Sequence, residues 1–199
     1  IDPDEINKIS DRLINEGIRH IAIVGKFSIR NPSHELAVKK ILEKSFEKIF
    51  MGHRISGSLN FGRRIATTYL NAAVYPLHRK FYQAVQKSLA TKGLNLPLRL
   101  LKADGGNMSF QSSIDYPVQT ILSGPAASVM GAMAFGQEHQ DTLVLDIGGT
   151  TTDMAVLINC VPVLNPLGIK CAAYNTLIRS LETLSLGLGG DSAVSVNGV

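Results

Sequence analysis

Residues 143–158 read Leu-Val-Leu-Asp-Ile-Gly-Gly-Thr-Thr-Thr-Asp-Met-Ala-Val-Leu-Ile. Two apolar runs, 143–147 and 154–158, flank a Gly-Gly turn, which is the pattern of a β-hairpin. Asp146 stands near the end of the first run. Gly148 and Gly149 carry no Cβ, so the backbone N–H groups of the turn can converge on an oxyanion. Thr150, Thr151 and Thr152 add hydroxyl donors, and Asp146 is placed to hold a hydrated divalent cation. A plain hairpin explains the turn, but it needs neither an acid at the strand end nor three hydroxyls and a second acid, Asp153. The stretch therefore reads as a device for gripping phosphate.

Working outward, residues 184–193 supply a second Gly-rich loop, Leu-Ser-Leu-Gly-Leu-Gly-Gly-Asp-Ser-Ala. Gly187, Gly189 and Gly190 miss the dinucleotide pattern G-x-G-x-x-G, because position 192 is Ser. Gly-Gly ahead of a small helix instead lets a flat base and ribose lie against the backbone; a flexible loop is the competing reading. Upstream, residues 118–122 read as a short strand. Ser123-Gly-Pro-Ala-Ala-Ser128 then opens a helix of small residues, with Pro125 where a helix tolerates it. Its N-terminus favours anions. The G-x-S-x-G elbow is absent, so Ser123 is not a hydrolase nucleophile by that pattern. Residues 98–101 form a strand that runs into the polar, Gly-rich turn 104–109, and Cys160 to Pro166 reads as a short strand or turn.

In the first half, Asp2-Pro3-Asp4-Glu5 is a helix start: an N-cap, a proline at the first position and acids in the first turn. Ile6, Ile9 and Leu13 share one face, and Gly17 stops the helix. A strand over 20–24 leads to Gly25-Lys26-Phe27-Ser28. This is not a P-loop, since the Gly expected five residues before Gly25 is His20. Asn31-Pro32 begins a second helix, and 52–58 reads as a loop in which His53 and Ser56 are either ligand contacts or solvated. Residues 61–91 are helical in pattern, broken by Pro76 into two pieces. Arg63 and Arg64 at its head read first as surface charges.

The 199 residues are 45% hydrophobic and 18% charged, with a net charge of +4 spread without a basic run. That describes a globular chain with a real core and gives no sign of a nucleic-acid or membrane partner. Two cysteines without metal spacing, no membrane-length apolar window and no signal peptide suggest a reducing, cytoplasmic setting. The five histidines match no metal spacing. The start, without Met, looks like that of a segment excised from a longer chain.

Taken together these pieces resemble the hydantoinase A/5-oxoprolinase family of the actin-like ATPase superfamily. The resemblance is carried by Phe27-Ser28, Asn31-Pro32, His34-Glu35, His53 with Ser56, Thr67 through Ala72 with Pro76, Gly105-Gly106 with Met108-Ser109, residues 118–126 with Gly131-Ala132, Asp146 through Asp153, and Leu186 through Ser192. It implies an α/β actin-like ATPase (ribonuclease H-like) fold fragment, a mixed sheet with flanking helices. Residues 1–57 look like the tail of the family's N-terminal domain and 58–199 like the start of the hydantoinase A domain. The implied activity is ATP-dependent opening of a cyclic amide of the hydantoin or 5-oxoproline type. Alternatives are a ketone carboxylase subunit or a non-catalytic actin-like ATPase module acting as a chaperone or reactivation factor. ATP and Mg²⁺ are the implied cofactors, and the implied partner is the rest of the same chain or a hydantoinase B-like subunit. By the same resemblance Gly148, Gly149, Thr150 and Thr151 hold the β/γ-phosphates, Asp146 the metal, and Gly187, Gly189 and Gly190 the adenosine side. Asp146 and Asp153 are the candidate catalytic residues; Asp153, like Asp104, is a candidate acid by position only, with a turn-capping carboxylate as the alternative for both. Ala127, Ser128 and Asp191 stand where the family commonly has glycines.

Overall fold

The computed structural model describes residues 1–135, 140–193 and 195. His139 and most of the small helix expected after Gly190 lie outside them. The chain divides into two compact units. The first is Ile1–Arg99 with Ser109–Gln119 and Leu167–Ile178; the second is Leu100–Met108, Thr120–Pro166 and Arg179–Val199.

Helix α1 (Pro3–Asn15) is capped by Asp2, whose carboxylate accepts from the Asp4 amide at 2.9 Å. It ends at Gly17, whose φ of +79° glycine adopts without the penalty a Cβ brings. Strands β1 (His20–Ile23) and β2 (Lys48–Met51) pair in parallel, from His20↔Lys48 to Ile23↔Met51, and α2 (Ser33–Leu42) crosses between them. The expected loop after β2 instead begins as the short helix α3 (Gly52–Ile55). Helix α4 (Phe61–Thr91) is capped by Asn60 and runs through Pro76 without interruption, correcting the expected break. Its packed side is polar: Arg64, Thr67, Thr68 and Asn71 are buried, beside Ala66 and Tyr75. Each buried polar group is anchored to backbone. Thr67 and Thr68 bond back to the carbonyls of Arg63 and Arg64 at 2.7 Å, and Asn71 takes the Val118 amide at 3.1 Å. That last bond, with Pro117 ahead of it, turns the expected strand over 118–122 into a 3₁₀ turn, Pro117–Thr120.

In the second unit, β3 (Arg99–Leu101) and β4 (Asn107–Ser109) form a two-stranded ribbon, closed by the predicted Gly-rich turn. Helix α5 (Ser123–Met133) follows Leu122, which holds a left-handed φ of 64°. Strands β5 (Thr142–Ile147) and β6 (Thr152–Ile158) are the expected hairpin. Positive φ at Asn159 and Cys160 turns the chain into β7 (Val161–Pro162), which pairs with β6, and β8 (Leu164–Asn165) follows. The segment Leu167–Ile178 returns to the first unit as the small hairpin β9 (Lys170–Cys171) and β10 (Tyr174–Asn175). Strand β11 (Ser180–Leu181) pairs with β8, and β12 (Leu184–Leu186) with β6. The core of this unit is one face of β6, Ala155 and Leu157, packed on Ala126 and Val129 of α5 and on Leu181. The alternation along β6 thus puts Val156 and Ile158 outward.

Candidate functional site

The hairpin closes as tightly as its sequence demands. The Gly148 amide donates to the Thr151 carbonyl at 2.8 Å, and register places Ile147 opposite Thr152 and Asp146 opposite Asp153. Directly opposed residues share a face, so the two carboxylates are neighbours, an arrangement that costs free energy unless donors or a cation relieve it. Donors are present on both sides. Ser128 of α5 gives its hydroxyl to Asp146, and Ser185 of β12, which faces Asp153 in register, gives its hydroxyl to Asp153. Among the described residues no hydrogen bond engages the amides of Gly149, Thr150 or Thr151, and all three residues are exposed.

The second Gly-rich loop lies on this turn. The Gly190 amide donates to the Gly148 carbonyl at 2.9 Å, the Asp191 amide to the Gly149 carbonyl at 2.8 Å, and the Thr152 hydroxyl to the Leu188 carbonyl at 2.6 Å. A Cβ on Gly189 would sit 2.5 Å from the Gly149 oxygen. Only glycine allows that approach. The loop is itself braced, the Gly189 amide bonding the Ser192 hydroxyl at 3.2 Å and the Ser192 amide the Gly189 carbonyl at 2.9 Å. The Asp191 carboxylate approaches the turn as well, 3.2 Å from where a Gly149 Cβ would be.

The residues singled out from sequence are therefore brought together: Asp146, Gly148, Gly149, Thr150, Thr151 and Asp153 on one hairpin, and Gly187, Gly189 and Gly190 on the loop that backs it. Ser128 and Ser185 were not anticipated as partners of the two acids. For Ser185 the signal lies in register, since a strand starting at 184 sets it against Asp153. Ser128 becomes legible only once α5 is known to pack on β5. The donor set fits a hydrated Mg²⁺ with phosphate beside it: two opposed carboxylates with lone pairs to spare, and exposed amides at a turn whose first two residues carry no Cβ.

A separate cluster sits at the carboxyl ends of β1 and β2. Glu35, in the first turn of α2, is 1% exposed. It accepts from the Gly25 amide at 2.8 Å, the His53 amide at 3.1 Å and His53 Nδ1 at 2.5 Å. Burial by itself raises the Glu35 pKa, but hydrogen bonds from Ser28, Gly25 and His53 outweigh it and hold the carboxyl below its ordinary value. Arg64, expected at the surface, is fully buried, with its guanidinium on the carbonyls of Ser58 (2.6 Å), Gly25 (2.8 Å) and Lys26 (2.8 Å). Arg63 is the more open of the pair and bonds the Leu167 carbonyl at 2.5 Å.

A hairpin with paired acids, a Gly-Gly turn and a Gly-rich loop laid on it, in an α/β frame of mixed sheet and flanking helices, belongs to a fragment of an actin-like ATPase fold. The chain belongs to the hydantoinase/oxoprolinase family: the family's profile, "Hydantoinase/oxoprolinase", matches residues 64–198, and the profile of its N-terminal region matches residues 1–46. Among curated relatives, caprolactamase subunit alpha of Pseudomonas jessenii is 24% identical over 78% of this chain and 23% of its own length. The acetophenone carboxylase gamma subunit of Aromatoleum aromaticum is 22% identical over 99% of this chain and 28% of its own length. A nucleotide-free structure of acetone carboxylase superposes with a TM-score of 0.81 at 24% identity, over 94% of this chain and 27% of that one. The chain thus spans about a quarter of the length of these three relatives. Among the described residues, no helix is long and apolar enough to cross a membrane.

Proposed function

We propose that this chain supplies one phosphate-binding half of an ATP-dependent enzyme that activates a carbonyl compound by phosphorylating its oxygen. The observation that carries the reading is the hairpin itself, with Asp146 opposite Asp153 and the Gly187–Gly190 loop seated on the Gly148–Gly149 turn. In this reading the amides of Gly149, Thr150 and Thr151 receive β/γ-phosphate oxygens. Asp146, with Asp153 opposite it, would hold the hydrated magnesium. The bound Mg²⁺ supplies neutralisation of the charge that builds on the transferred phosphoryl group. Ser128 and Ser185 fix the two carboxylates, so that they need not reorganise when nucleotide arrives. Gly187, Gly189 and Gly190 give the adenosine side a surface of bare backbone.

The names of the relatives favour two substrates for such a site. One is a cyclic amide, opened by water after activation, as caprolactamase and the 5-oxoprolinase resemblance suggest. The other is a ketone, carboxylated after activation, as the acetone and acetophenone carboxylases suggest. Both begin at a carbonyl oxygen, and that shared step is the proposal. A partner subunit of the hydantoinase B kind, and residues 1–57 and 58–199 as parts of two successive domains, belong to the same reading. A non-catalytic ATPase module binds nucleotide by the same hairpin, and turnover separates it from the enzyme.

The test is Mg-ATP titration by calorimetry on the complete polypeptide and its Asp146→Ala variant, then ADP release in the presence of 5-oxoproline, hydantoin or caprolactam, or of acetone or acetophenone with bicarbonate. We expect binding that the substitution abolishes, and ADP release stimulated by one of the two substrate sets. Binding without stimulation by either set points to the non-catalytic module. Binding that survives Asp146→Ala removes the hairpin from the nucleotide site.

A further inference from the structure

We propose that Asp191 makes the hairpin site selective for nucleotide that arrives with its divalent cation, by repelling phosphate that carries none; the inference rests on the functional reading above. The Asp191 amide is fixed on the turn by its bond to the Gly149 carbonyl at 2.8 Å, and the next amide, that of Ser192, bonds back to the Gly189 carbonyl at 2.9 Å. The side chain therefore leaves a backbone held on both sides, and it turns toward the hairpin. Its Oδ2 and Cγ lie 3.2 and 3.8 Å from where a Gly149 Cβ would be. Asp146 and Asp153 each have a serine hydroxyl as donor. The exposed Asp191 carboxylate has neither a hydrogen bond nor an ion pair among the described residues. An Asp in such a loop commonly caps a turn, but a cap accepts from an amide, and this one accepts from none among the described residues.

The rest of the unit does not offset that charge. Between Lys102 and Lys170 the sequence has no lysine or arginine, and the unit that carries the hairpin has two in all, Lys102 and Arg179. Lys102 is engaged by Asp104 at 3.1 Å. Arg179 comes just ahead of β11, which pairs with β8 and not with the hairpin. Against these two stand Asp104, Asp141, Asp146, Asp153, Glu182 and Asp191. The chain's net charge of +4 is thus carried by the other unit. A grip made of backbone amides supplies partial charges only, whereas a triphosphate brings several full ones. Within this unit, full positive charge has to come with the ligand.

The signs of the charges decide what enters. Toward a nucleotide complexed with a divalent cation, Asp191 repels the phosphate oxygens and attracts the cation bound to them, so its net effect is small. Toward the metal-free anion only the repulsion remains, and Asp146 and Asp153 add to it. Metal-free nucleotide and inorganic phosphates are anions of this second kind. Asp191 therefore acts as a filter: it weakens the wrong ligand far more than the right one.

Calorimetric titration of the complete polypeptide, with ATP in excess Mg²⁺ and with ATP in EDTA, reads the selectivity as a ratio of two affinities. We expect the wild type to bind Mg-ATP more tightly. Asp191→Asn keeps the shape and removes the charge, and should shrink the ratio by about ten- to a hundredfold through tighter metal-free binding, the range for one charge pair a few ångströms apart near a protein surface. Asp191→Glu keeps the charge and should keep the ratio. Asp141→Asn is the control for net charge. It lies at the end of the hairpin away from the turn, where Asp141 Oδ1 accepts from the Asn159 amide at 2.9 Å, and an asparagine oxygen accepts equally. An unchanged ratio in Asp191→Asn, or an equal fall in Asp191→Glu or Asp141→Asn, overturns the proposal. Equal affinity for the two forms in the wild type also overturns it, while leaving the hairpin as a nucleotide site. A wild type that binds neither form refutes the functional reading itself, and the proposal with it.

Discussion

Replacing Gly189 with alanine tests the contact that makes the Gly-rich loop part of the hairpin site. The added Cβ would meet Gly149 O at 2.5 Å, Gly149 C at 2.6 Å and Gly148 O at 2.7 Å. All three are backbone atoms and none can rotate aside, so the loop must withdraw. Withdrawal breaks the bonds from the Gly190 amide to Gly148 and from the Asp191 amide to Gly149. At about 0.5–1.5 kcal/mol for each bond, the local contact loses about 1–3 kcal/mol. Since about 1.4 kcal/mol is a factor of ten, the middle of that range is about 30-fold in an opening equilibrium. Hydrogen exchange at the Gly190 and Asp191 amides should accelerate by that order, and Mg-ATP affinity should weaken in parallel. Gly187→Ala is the control, because nothing lies within 4 Å of its added Cβ. Unchanged exchange at Gly190 and Asp191 in Gly189→Ala, or equal acceleration in Gly187→Ala, would refute the reasoning that loop and turn act as one piece.

Two further outcomes are expected. Pro76 is exposed in the middle of α4 and offers no N–H to the carbonyl four residues back. A proline costs about 3 kcal/mol in a helix interior, so Pro76→Ala should raise Tm in thermal unfolding; a lowered Tm means that α4 is shaped around the ring. Glu35 is held below its ordinary pKa of 4.5, so the stability it contributes is present above that value and is lost as pH falls through the lower folded pKa. Denaturant midpoints followed downward from about pH 6 should therefore show an acid loss that Glu35→Gln flattens. An identical slope in the variant removes Glu35 as its source.

What the sequence disclosed and what it hid divide along contact range. The cap at Asp2 and the stop at Gly17 depend on neighbours within one turn, and both were legible. The hairpin was legible because its two apolar runs and its turn are contiguous, and the Asp146–Asp153 pairing follows from a turn of fixed length. Pro76 and residues 118–122 were misread for the opposite reason. The break expected at Pro76 is a local rule, and α4 overrides it by running unbroken from Phe61 to Thr91. The strand expected over 118–122 needed the Val118 amide for a ladder, but Asn71, 47 residues earlier, had taken it.

Arg64 shows why part of the candidate chemistry could not be read in advance. Two adjacent arginines at a helix start carry the same local signal, yet Arg63 reaches the Leu167–Gly168 turn while Arg64 is swallowed by the turns after β1 and ahead of α4. Its partners are carbonyl oxygens, which every residue has, so no side-chain pattern announces them. A buried guanidinium with carbonyl partners alone brings its charge inside without a carboxylate in direct contact. Here residue Gly25 links it to Glu35 through the two peptide groups that flank its Cα, its carbonyl accepting from Arg64 and its amide donating to Glu35. That coupling ties the buried arginine to the orientation of His53. Arg64→Lys, which keeps the charge but cannot span three carbonyls, should therefore loosen the Gly25 turn and the His53 tautomer that Glu35 sets at Nδ1 together, a joint change that ¹⁵N NMR can follow. A variant that unlocks the turn while the tautomer stays fixed would show that Glu35 needs no help from the far side of Gly25.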